Sequence, residues 1–477
     1  MPLNRGEVSA DLARQGRPGR VLAVAVAAAA AGNLPITLLI AVLPLLARDL
    51  HTSSSVVSWV VVAPTIAFAV GMPVIGRLGD VVGHRRVFLT GWTCATVLTL
   101  LTALSPDAGT LIALRTSSAL AGAATLPASL AMLAHAYPVE RRHRPFAVVT
   151  TVVAMSPLVA VVVGGPLVEL VGWRAVFVVQ AVLSAAVVAM AVPVLTETPR
   201  RDGEVAVGST VALTVAVVAS LFAVNRSTEW GIGHGGVVTA ALTGVAGIAA
   251  FVVVDRRASS PLMPLQLFDN RDLTTAVLVT GFSQASFLGI GLAAPFLLDD
   301  LFGYGTGAVA LALALRPAAF SIGAMGSGRS IGWLGARWAQ VAGQSVSVAG
   351  TLVVAVGCVT RSVALVLGGL AVGGWGSGTI RPLLTGAVNA NVEVEHLGVA
   401  NGIQNMAGYV GAAAGQTLVV AVVADRATTS AYAQAAVVAV VVAAVGLLLS
   451  TRLSDAALTG RAALDGPGGP IPPLETT

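Results

Sequence analysis

Long uncharged runs of apolar residues recur along the whole chain and constrain its fold more than any other feature. An α-helix needs about 20 such residues to cross the hydrocarbon core of a bilayer. We mark fourteen of these runs in the sequence. They lie near residues 21–47, 55–76, 86–104, 109–133, 146–171, 175–195, 207–225, 236–254, 272–298, 306–326, 339–358, 362–387, 397–424 and 432–451.

The composition agrees with a membrane protein and excludes several other classes. Only 10% of the 477 residues are charged and 56% are hydrophobic, whereas a soluble domain carries about 25% charged residues. Such a chain cannot cover a water-facing surface of its own size, which excludes a soluble enzyme, a disulfide scaffold and a disordered protein. The sequence therefore predicts an all-α polytopic membrane protein with about fourteen transmembrane helices, or twelve if the runs at 207–254 do not cross.

The distribution of arginine predicts the orientation. With the N-terminus inside, nineteen arginines fall on the inner side and five on the outer side. This bias obeys the positive-inside rule and predicts that both termini lie in the cytoplasm of a cell that carries the protein in its plasma or inner membrane. The arginines are scattered between apolar runs and form no single basic face, so the net charge of +5 does not indicate nucleic-acid binding.

One short loop carries the most specific motif. The segment from Gly76 to Arg86 reads GRLGDVVGHRR and forms a tight predicted turn between the second and third helices. Gly83 can adopt a positive φ, and Asp80 lies near the start of the next helix, whose dipole favours an anion. Arg85 and Arg86 can pair with Asp80 or with lipid phosphates. This spacing favours a conformational lock over a simple solvated loop.

At this loop the chain resembles the major facilitator superfamily. The signature Gly-x-Leu-a-Asp-x-x-Gly-x-Arg-Arg of that family is matched in this sequence by Gly76, Leu78, Asp80, Gly83, Arg85 and Arg86. Further matches follow in order along the chain, and the chain is most similar to the fourteen-helix drug:proton antiporters of the EmrB/QacA type. The resemblance implies two six-helix bundles plus two extra helices, and a lock that steadies the outward-open state.

The expected domain organisation follows from the runs and the resemblance. It comprises a cytoplasmic segment (1–20), an N-terminal six-helix bundle (21–195), two extra helices with their loops (196–260), a C-terminal six-helix bundle (261–451) and a disordered cytoplasmic tail (452–477).

Candidate site residues are the polar groups that fall inside the predicted helices. Proton-coupled members of the family often carry an acid in helix one, but that position is Pro35 here, and Asn33 is the nearest polar side chain. No acid lies well inside any predicted helix, which weakens proton coupling and selectivity for cations. Candidates for the coupling or substrate cavity are Asn33, Arg115, Arg316, Arg381, Asn401, Gln404, Asn405 and Gln416.

Each of these candidates also has a plain structural interpretation. Arg115, by resemblance, relays protons or holds helix one, whereas Arg316 and Arg381 could snorkel or bond to backbone carbonyls near helix ends. The amides of helix thirteen are more often interhelical contacts than ligands. A kink in helix five is predicted at Pro157, Gly164, Gly165 and Pro166. This kink either takes part in coupling or only serves the packing of the helix.

The predicted function is secondary active transport of a small molecule, with export of a hydrophobic drug or natural product as the leading possibility. Proton coupling is open, and protons and membrane lipids are the other expected partners. The alternatives are an organic or inorganic anion carrier, or a non-transporting receptor or lipid-handling protein. We expect no enzyme activity, no cofactor, no metal site and no nucleic-acid partner, and a monomer.

Overall fold

The computed structural model describes residues 18–123, 125–137, 143–198, 207–231, 233–258, 261, 265–392, 397–423, 428–455 and 458. Within these ranges the chain is helical and contains no strand. The α-helices are α1 (Pro18–Ala41), α2 (Leu43–Asp49), α3 (Ser54–Val82), α4 (His84–Thr102), α5 (Ala108–Gly122), α6 (Thr125–Ala136), α7 (His143–Val171), α8 (Trp173–Val194), α9 (Val207–Trp230), α10 (Gly235–Arg257), α11 (Arg271–Phe302), α12 (Thr306–Leu334), α13 (Ala336–Val359), α14 (Val363–Ala390), α15 (Leu397–Val423) and α16 (Thr429–Ser450), with a 3₁₀-helix at Leu265–Asp269 before α11.

The predicted runs coincide with helices, but two of them are broken. The first run divides into α1 and α2 at Val42, and Pro44 occupies the first turn of α2. Proline is tolerated there because a backbone N–H in the first turn has no acceptor within the helix. The fourth run divides into α5 and α6, since α5 ends at Gly122. Of the helices described, ten are long and apolar enough to cross a membrane. The protein is therefore a polytopic helical protein, and the count of fourteen crossings stays a prediction.

The helices form two groups that pack against each other. In the first half, α1 packs against α7 and α8, and α5 packs against α3 and α4. In the second half, α14 packs against α12 and α13, and α15 packs against α11. The extra helices α9 and α10 pack mainly on each other, with α9 also touching α15. The two halves meet along α3–α15 and α7–α12.

The apolar cores differ between the two ends of the bundle. We call these the Asp299 end, which holds the C-terminus of α11, and the Asp80 end, which holds the turn between α3 and α4. At the Asp299 end, one cluster joins residues of both halves, among them Leu43 and Phe177 with Leu297. At the Asp80 end there are two separate clusters, one around Phe88 in the first half and one around Leu384 in the second. Among the described residues, the buried apolar cluster that both halves share therefore lies at the Asp299 end.

The crossing of α11 and α15 is held close by glycine. A Cβ atom at Gly411 would overlap the carbonyl oxygen of Gly281, and one at Gly415 would overlap that of Ala285. Small residues of this kind let the backbones of membrane helices approach closely. The polar residues of α15 are thereby positioned against α11.

Candidate functional site

The turn at the Asp80 end depends on the conformation of a single glycine. Gly83 separates α3 from α4 and has φ +111° and ψ +132°, a region that residues with a Cβ atom rarely adopt. A Cβ atom there would also lie 2.5 Å from the carboxyl group of Glu197. The sequence predicted the positive φ, and the structure adds the contact with Glu197 as a second reason for glycine.

Among the described residues, the ion-pair partners of Asp80 lie close to it in sequence. Its carboxylate lies 3.8 Å from the Arg77 guanidinium and 3.7 Å from the His84 imidazole. Arg86 pairs instead with Glu197, at 3.8 Å. The expected pairing of Asp80 with Arg85 or Arg86 is therefore not what this conformation contains.

Glu197 and Thr198 form the cap of α4. The backbone N–H of Arg85 donates to Glu197 Oε1 at 3.0 Å, and the N–H of His84 donates to Thr198 Oγ1 at 3.3 Å. The Arg85 guanidinium donates to the carbonyl of Val192 at 3.0 Å. These bonds satisfy donors that a helix start leaves without partners, and they tie the loop to the end of α8.

Sequence reasoning missed Glu197, although one signal was available. It is an acid just beyond a predicted helix, on the side where the arginines accumulate, and an acid there needs a basic partner. The spacing of more than one hundred residues between Glu197 and Arg85 hid the contact.

At the Asp299 end an ion pair joins the two halves. Arg48 at the end of α2 donates to both carboxylate oxygens of Asp299 in α11, at 2.7 and 2.5 Å. Asp299 is nearly buried, with 10% of its side chain exposed. Both contacts come from the same guanidinium nitrogen, Nη2, which is shared between the two carboxylate oxygens in a charge-assisted hydrogen bond.

The acids next to this pair are held within their own halves. Asp49 accepts from the Trp173 indole at 2.7 Å and from Arg174 at 3.2 Å. The Trp173 hydrogen bond, with smaller help from Arg174, holds the pKa of the Asp49 carboxyl below its usual value of 3.8. Asp300 accepts a hydrogen bond from the Tyr432 hydroxyl. The Arg48–Asp299 pair therefore spans the halves between two anchored neighbours.

Two of the embedded arginines, Arg115 and Arg316, are each enclosed within their own half of the protein. Arg115 is 6% exposed and lies 5.7 Å from the centre of the Phe177 ring. Arg316 is 8% exposed, lies 3.8 Å over the Phe287 ring and donates to the Phe287 carbonyl. The snorkelling interpretation of Arg316 is therefore replaced by a cation–π and carbonyl contact inside the second half.

Arg381 has a different environment. Its guanidinium donates to Asn405 Oδ1 at 3.0 Å, a side-chain contact rather than the carbonyl contact expected near a helix end, and the residue is only partly buried. A Cβ atom at Gly408 would lie 3.6 Å from Arg381 Nη1 and 3.5 Å from Gln284. Among the residues described, the ion pairs found involve none of the three embedded arginines.

The amides of α15 have separate hydrogen-bond partners. Gln404 is buried and donates to Thr280 Oγ1 at 3.2 Å, which makes it a contact between α15 and α11. Asn401 donates to Asn389 at 2.6 Å, and Gln416 is 1% exposed. Among the described hydrogen bonds of these amides, the one to an embedded arginine is that of Asn405 with Arg381.

Other predicted positions lie outside what can be described. The backbone of α1 is helical at Asn33, and that of α7 is helical through the predicted kink residues, but their side chains fall outside the described residues. Within the part of the chain that the structure describes, no three His, Cys, Asp or Glu residues are grouped as metal ligands would be.

Comparison with known proteins identifies relatives over most of the chain. The MFS-type transporter EfpA of Mycobacterium tuberculosis is 31% identical over 275 residues, 56% of this chain, and the match covers 51% of EfpA. The tetracenomycin C resistance and export protein of Streptomyces glaucescens is 27% identical over 422 residues, 86% of this chain and 77% of that protein. The chain thus spans about half the length of EfpA but most of the tetracenomycin protein.

Solved structures share the fold at low identity. The human organic anion transporter MFSD10 (TETRAN) superimposes with a TM-score of 0.64 at 16% identity, over 91% of this chain and 100% of that chain. An auto-inhibited peptide transporter of the POT family gives 0.65 at 15% identity, over 91% and 96%. The family model described as Major Facilitator Superfamily matches residues 21–416. Since this is well over half of the chain, the protein belongs to the major facilitator superfamily.

Proposed function

We propose that this protein is a secondary active transporter that exports a hydrophobic drug or natural product by alternating access. The relatives support export, since one is named for resistance to and export of tetracenomycin C and another for methylenomycin A resistance. The observation that carries the proposal is the asymmetry of the bundle. The halves share one core and an ion pair at the Asp299 end but have separate cores at the Asp80 end.

The proposed topology has fourteen crossings, with α1 and α2 forming one and α5 and α6 another. The first half (21–195) and the second (261–451) are then six-helix bundles, with α9 and α10 between them in sequence. The arginine excess places the Asp80 end and both termini in the cytoplasm of the cell membrane. In this orientation the described conformation is sealed outside and faces inward, and rocking of the halves would expose the site outward.

The Asp80 loop is the proposed lock for the opposite conformation. In the inward-facing arrangement the ion pairs of the Asp80 carboxylate, within the described residues, are with Arg77 and His84 of its own loop region. When the halves close at the cytoplasmic side, the loop would meet the second half and Asp80 could pair there. The cap from Glu197 holds the loop ready in both conformations.

Proton coupling, if present, would run through acids at the ends of the helices. The pKa of Asp49 is held low by Trp173 and Arg174, so Asp49 stays ionised and is a poor carrier. This leaves Asp80, Asp299 and Asp300 as the proposed carriers. Without a carrier among them, substrate would move by facilitated diffusion.

Flux through purified protein in liposomes tests the proposal. We would load a panel of aromatic natural products and drugs of both charges, with and without a pH gradient, and compare liposomes without protein. We expect flux above this control, driven uphill only if protons are coupled. Absence of flux for every compound, with insertion verified, would favour the alternative of a non-transporting receptor or lipid-handling protein. An anion carrier is the second candidate, because no ion pair found among the described residues neutralises Arg381.

A further inference from the structure

We propose, on the basis of the transport function above, that Arg381 with Asn405, Gln284 and Tyr409 binds the anionic oxygen of the substrate. The chemical class is a planar aromatic molecule that carries a carboxylate, phenolate or enolate group. The inference deepens the proposed function, since it names what distinguishes the cargo.

Arg381 is the embedded arginine that remains available to a ligand. Arg316 already has the Phe287 ring and carbonyl as partners inside the second half, and Arg115 is buried against Phe177 inside the first. Arg381 is only partly buried, and among the described residues its side chain donates one hydrogen bond, to the neutral amide of Asn405. A guanidinium has five N–H donors, so within the part of the chain that the structure describes most donors of Arg381 are left for another acceptor.

The surroundings of Arg381 lie where the two halves meet, close to the middle of the helices. Phe68 is the central residue of α3, and its ring lies 4.9 Å from that of Tyr409 in α15. Tyr409 follows Asn405 by one helical turn, and Gly408 between them leaves room for Arg381 on one side and Gln284 on the other. The hydrogen-bonding side chains of the site, Arg381 and Asn405, therefore belong to the second half. Phe68 of the first half contacts the site through the Tyr409 ring.

The charges around Arg381 favour an anionic ligand over a cationic one. A guanidinium in the centre of a bilayer costs at least a few kcal/mol unless it is paired or hydrated. The acids whose side chains are described in the two halves lie at helix ends or in loops, at Asp49, Asp80, Asp107, Glu197, Asp269, Asp272, Asp299, Asp300 and Asp455. None of the ion pairs found among the described residues involves Arg381. An anionic oxygen would accept two parallel hydrogen bonds from the guanidinium, which is a favourable arrangement for carboxylates.

The aromatic pair explains why the cargo should be planar. The Phe68 and Tyr409 rings are tilted by 55° and come from opposite halves. An aromatic substrate can pack on either face with its charged group on Arg381. Tyr409, one helical turn from Asn405, and Gln284, whose Cγ would lie 3.5 Å from a Cβ atom at Gly408, each carry a further hydrogen-bond donor.

Binding of two dyes with one ring skeleton tests this inference separately from transport. We would measure fluorescence anisotropy of fluorescein, an anion at mildly alkaline pH, and of the cationic methyl ester of rhodamine, with the protein in lipid nanodiscs. The wild type should bind fluorescein more tightly. Arg381→Gln should weaken fluorescein binding by about tenfold or more, since a bond to a charged group is lost, and leave the rhodamine ester unchanged or improved.

The controls keep the result interpretable. Arg329→Gln removes the same charge at an exposed position of α12 and should change neither dye. Should Arg381→Gln fail to fold, Asn405→Ala releases the guanidinium from its side-chain partner and should weaken fluorescein several-fold. Wild-type protein that binds fluorescein no better than the rhodamine ester, or an Arg381→Gln protein with unchanged fluorescein binding, would overturn the inference. Arg381-dependent binding of fluorescein without flux in liposomes would refute transport instead.

Discussion

At the scale of single residues, local motifs were readable from the sequence but their distant partners were not. The positive φ of Gly83 and the position of Asp80 at the turn follow from the spacing GRLGDVVGHRR. The bond from Arg85 to Glu197 joins residues 112 positions apart, and no periodicity or motif connects them. For the same reason the sequence could name Arg381 and Asn405 separately but could not pair them.

Glu197 is expected to stabilise the start of α4. Glu197→Ala removes an acceptor for the Arg85 N–H and a partner of Arg86. Loss of a helix cap costs about 0.5–2 kcal/mol, so the free energy of unfolding should fall by about 1 kcal/mol in a chemical denaturation series. Asp107→Ala is the matched control for a cap at the opposite end, on α5, and should lower stability similarly but spare transport. A Glu197→Ala protein with unchanged stability and flux would contradict the role of the cap.

Asp80→Asn should separate conformational control from folding. The substitution keeps the size of the side chain and removes its charge. In the described conformation the Asp80 carboxylate is partly exposed and lies 3.8 Å from the Arg77 guanidinium and 3.7 Å from the His84 imidazole. Exposed pairs contribute about 0–1 kcal/mol, so thermal stability should change little while flux in liposomes falls severalfold. Unchanged flux at equal insertion would reduce the loop to a topogenic signal.

At the scale of helices, apolar periodicity and length predicted nearly every element, and the errors have local causes. The first and fourth runs were read as single helices because their composition is uninterrupted. The break at Val42 is set by Pro44 and by packing of α2 near α3 and α11, which hydropathy does not register. The close crossing of α11 and α15 was equally hidden, because glycine is common throughout this chain and only the fold shows which ones face a neighbour.

Gly415→Ala should disturb this crossing, and Gly402→Ala should not. A Cβ atom at Gly415 would overlap the carbonyl oxygen of Ala285, whereas nothing lies within 4 Å of the corresponding position at Gly402 in the same helix. Overpacking typically costs about 1–3 kcal/mol, so Gly415→Ala should lower the melting temperature in detergent. Gly402→Ala should leave it unchanged or raise it, since alanine favours helix. Equal melting temperatures would contradict the packing of α15 on α11.

At the scale of the whole molecule, the family and the two-half architecture could be predicted, and the conformation could not. One shared core at the Asp299 end and two cores at the Asp80 end result from the relative placement of Leu43, Leu297, Phe88 and Leu384. A sequence specifies both conformations of a transporter, so it cannot indicate which of them is populated.

The orientation of the extra helices is testable by labelling. Single cysteines at positions 202 and 229, the first before α9 and the second in its last turn, should differ in access to an impermeant reagent added outside the cell. We expect position 229 to be labelled and position 202 to be protected. Arg200 and Arg201 directly precede position 202, which places it on the cytoplasmic side by the positive-inside rule. Labelling of both, or the reverse pattern, would refute the crossing by α9.

Alternating access is the central claim, and distances measured across both ends test it most directly. After replacement of Cys94 and Cys358, spin labels would be placed in exposed pairs, at positions 104 and 361 for the Asp299 end and at 135 and 271 for the Asp80 end. Double electron–electron resonance should show a short distance between the two labels at the Asp299 end in the protein with the Arg48–Asp299 pair intact. In Arg48→Gln the distance at the Asp299 end should lengthen while that at the Asp80 end shortens. Distances that stay fixed at both ends, or change in the same direction, would contradict the account.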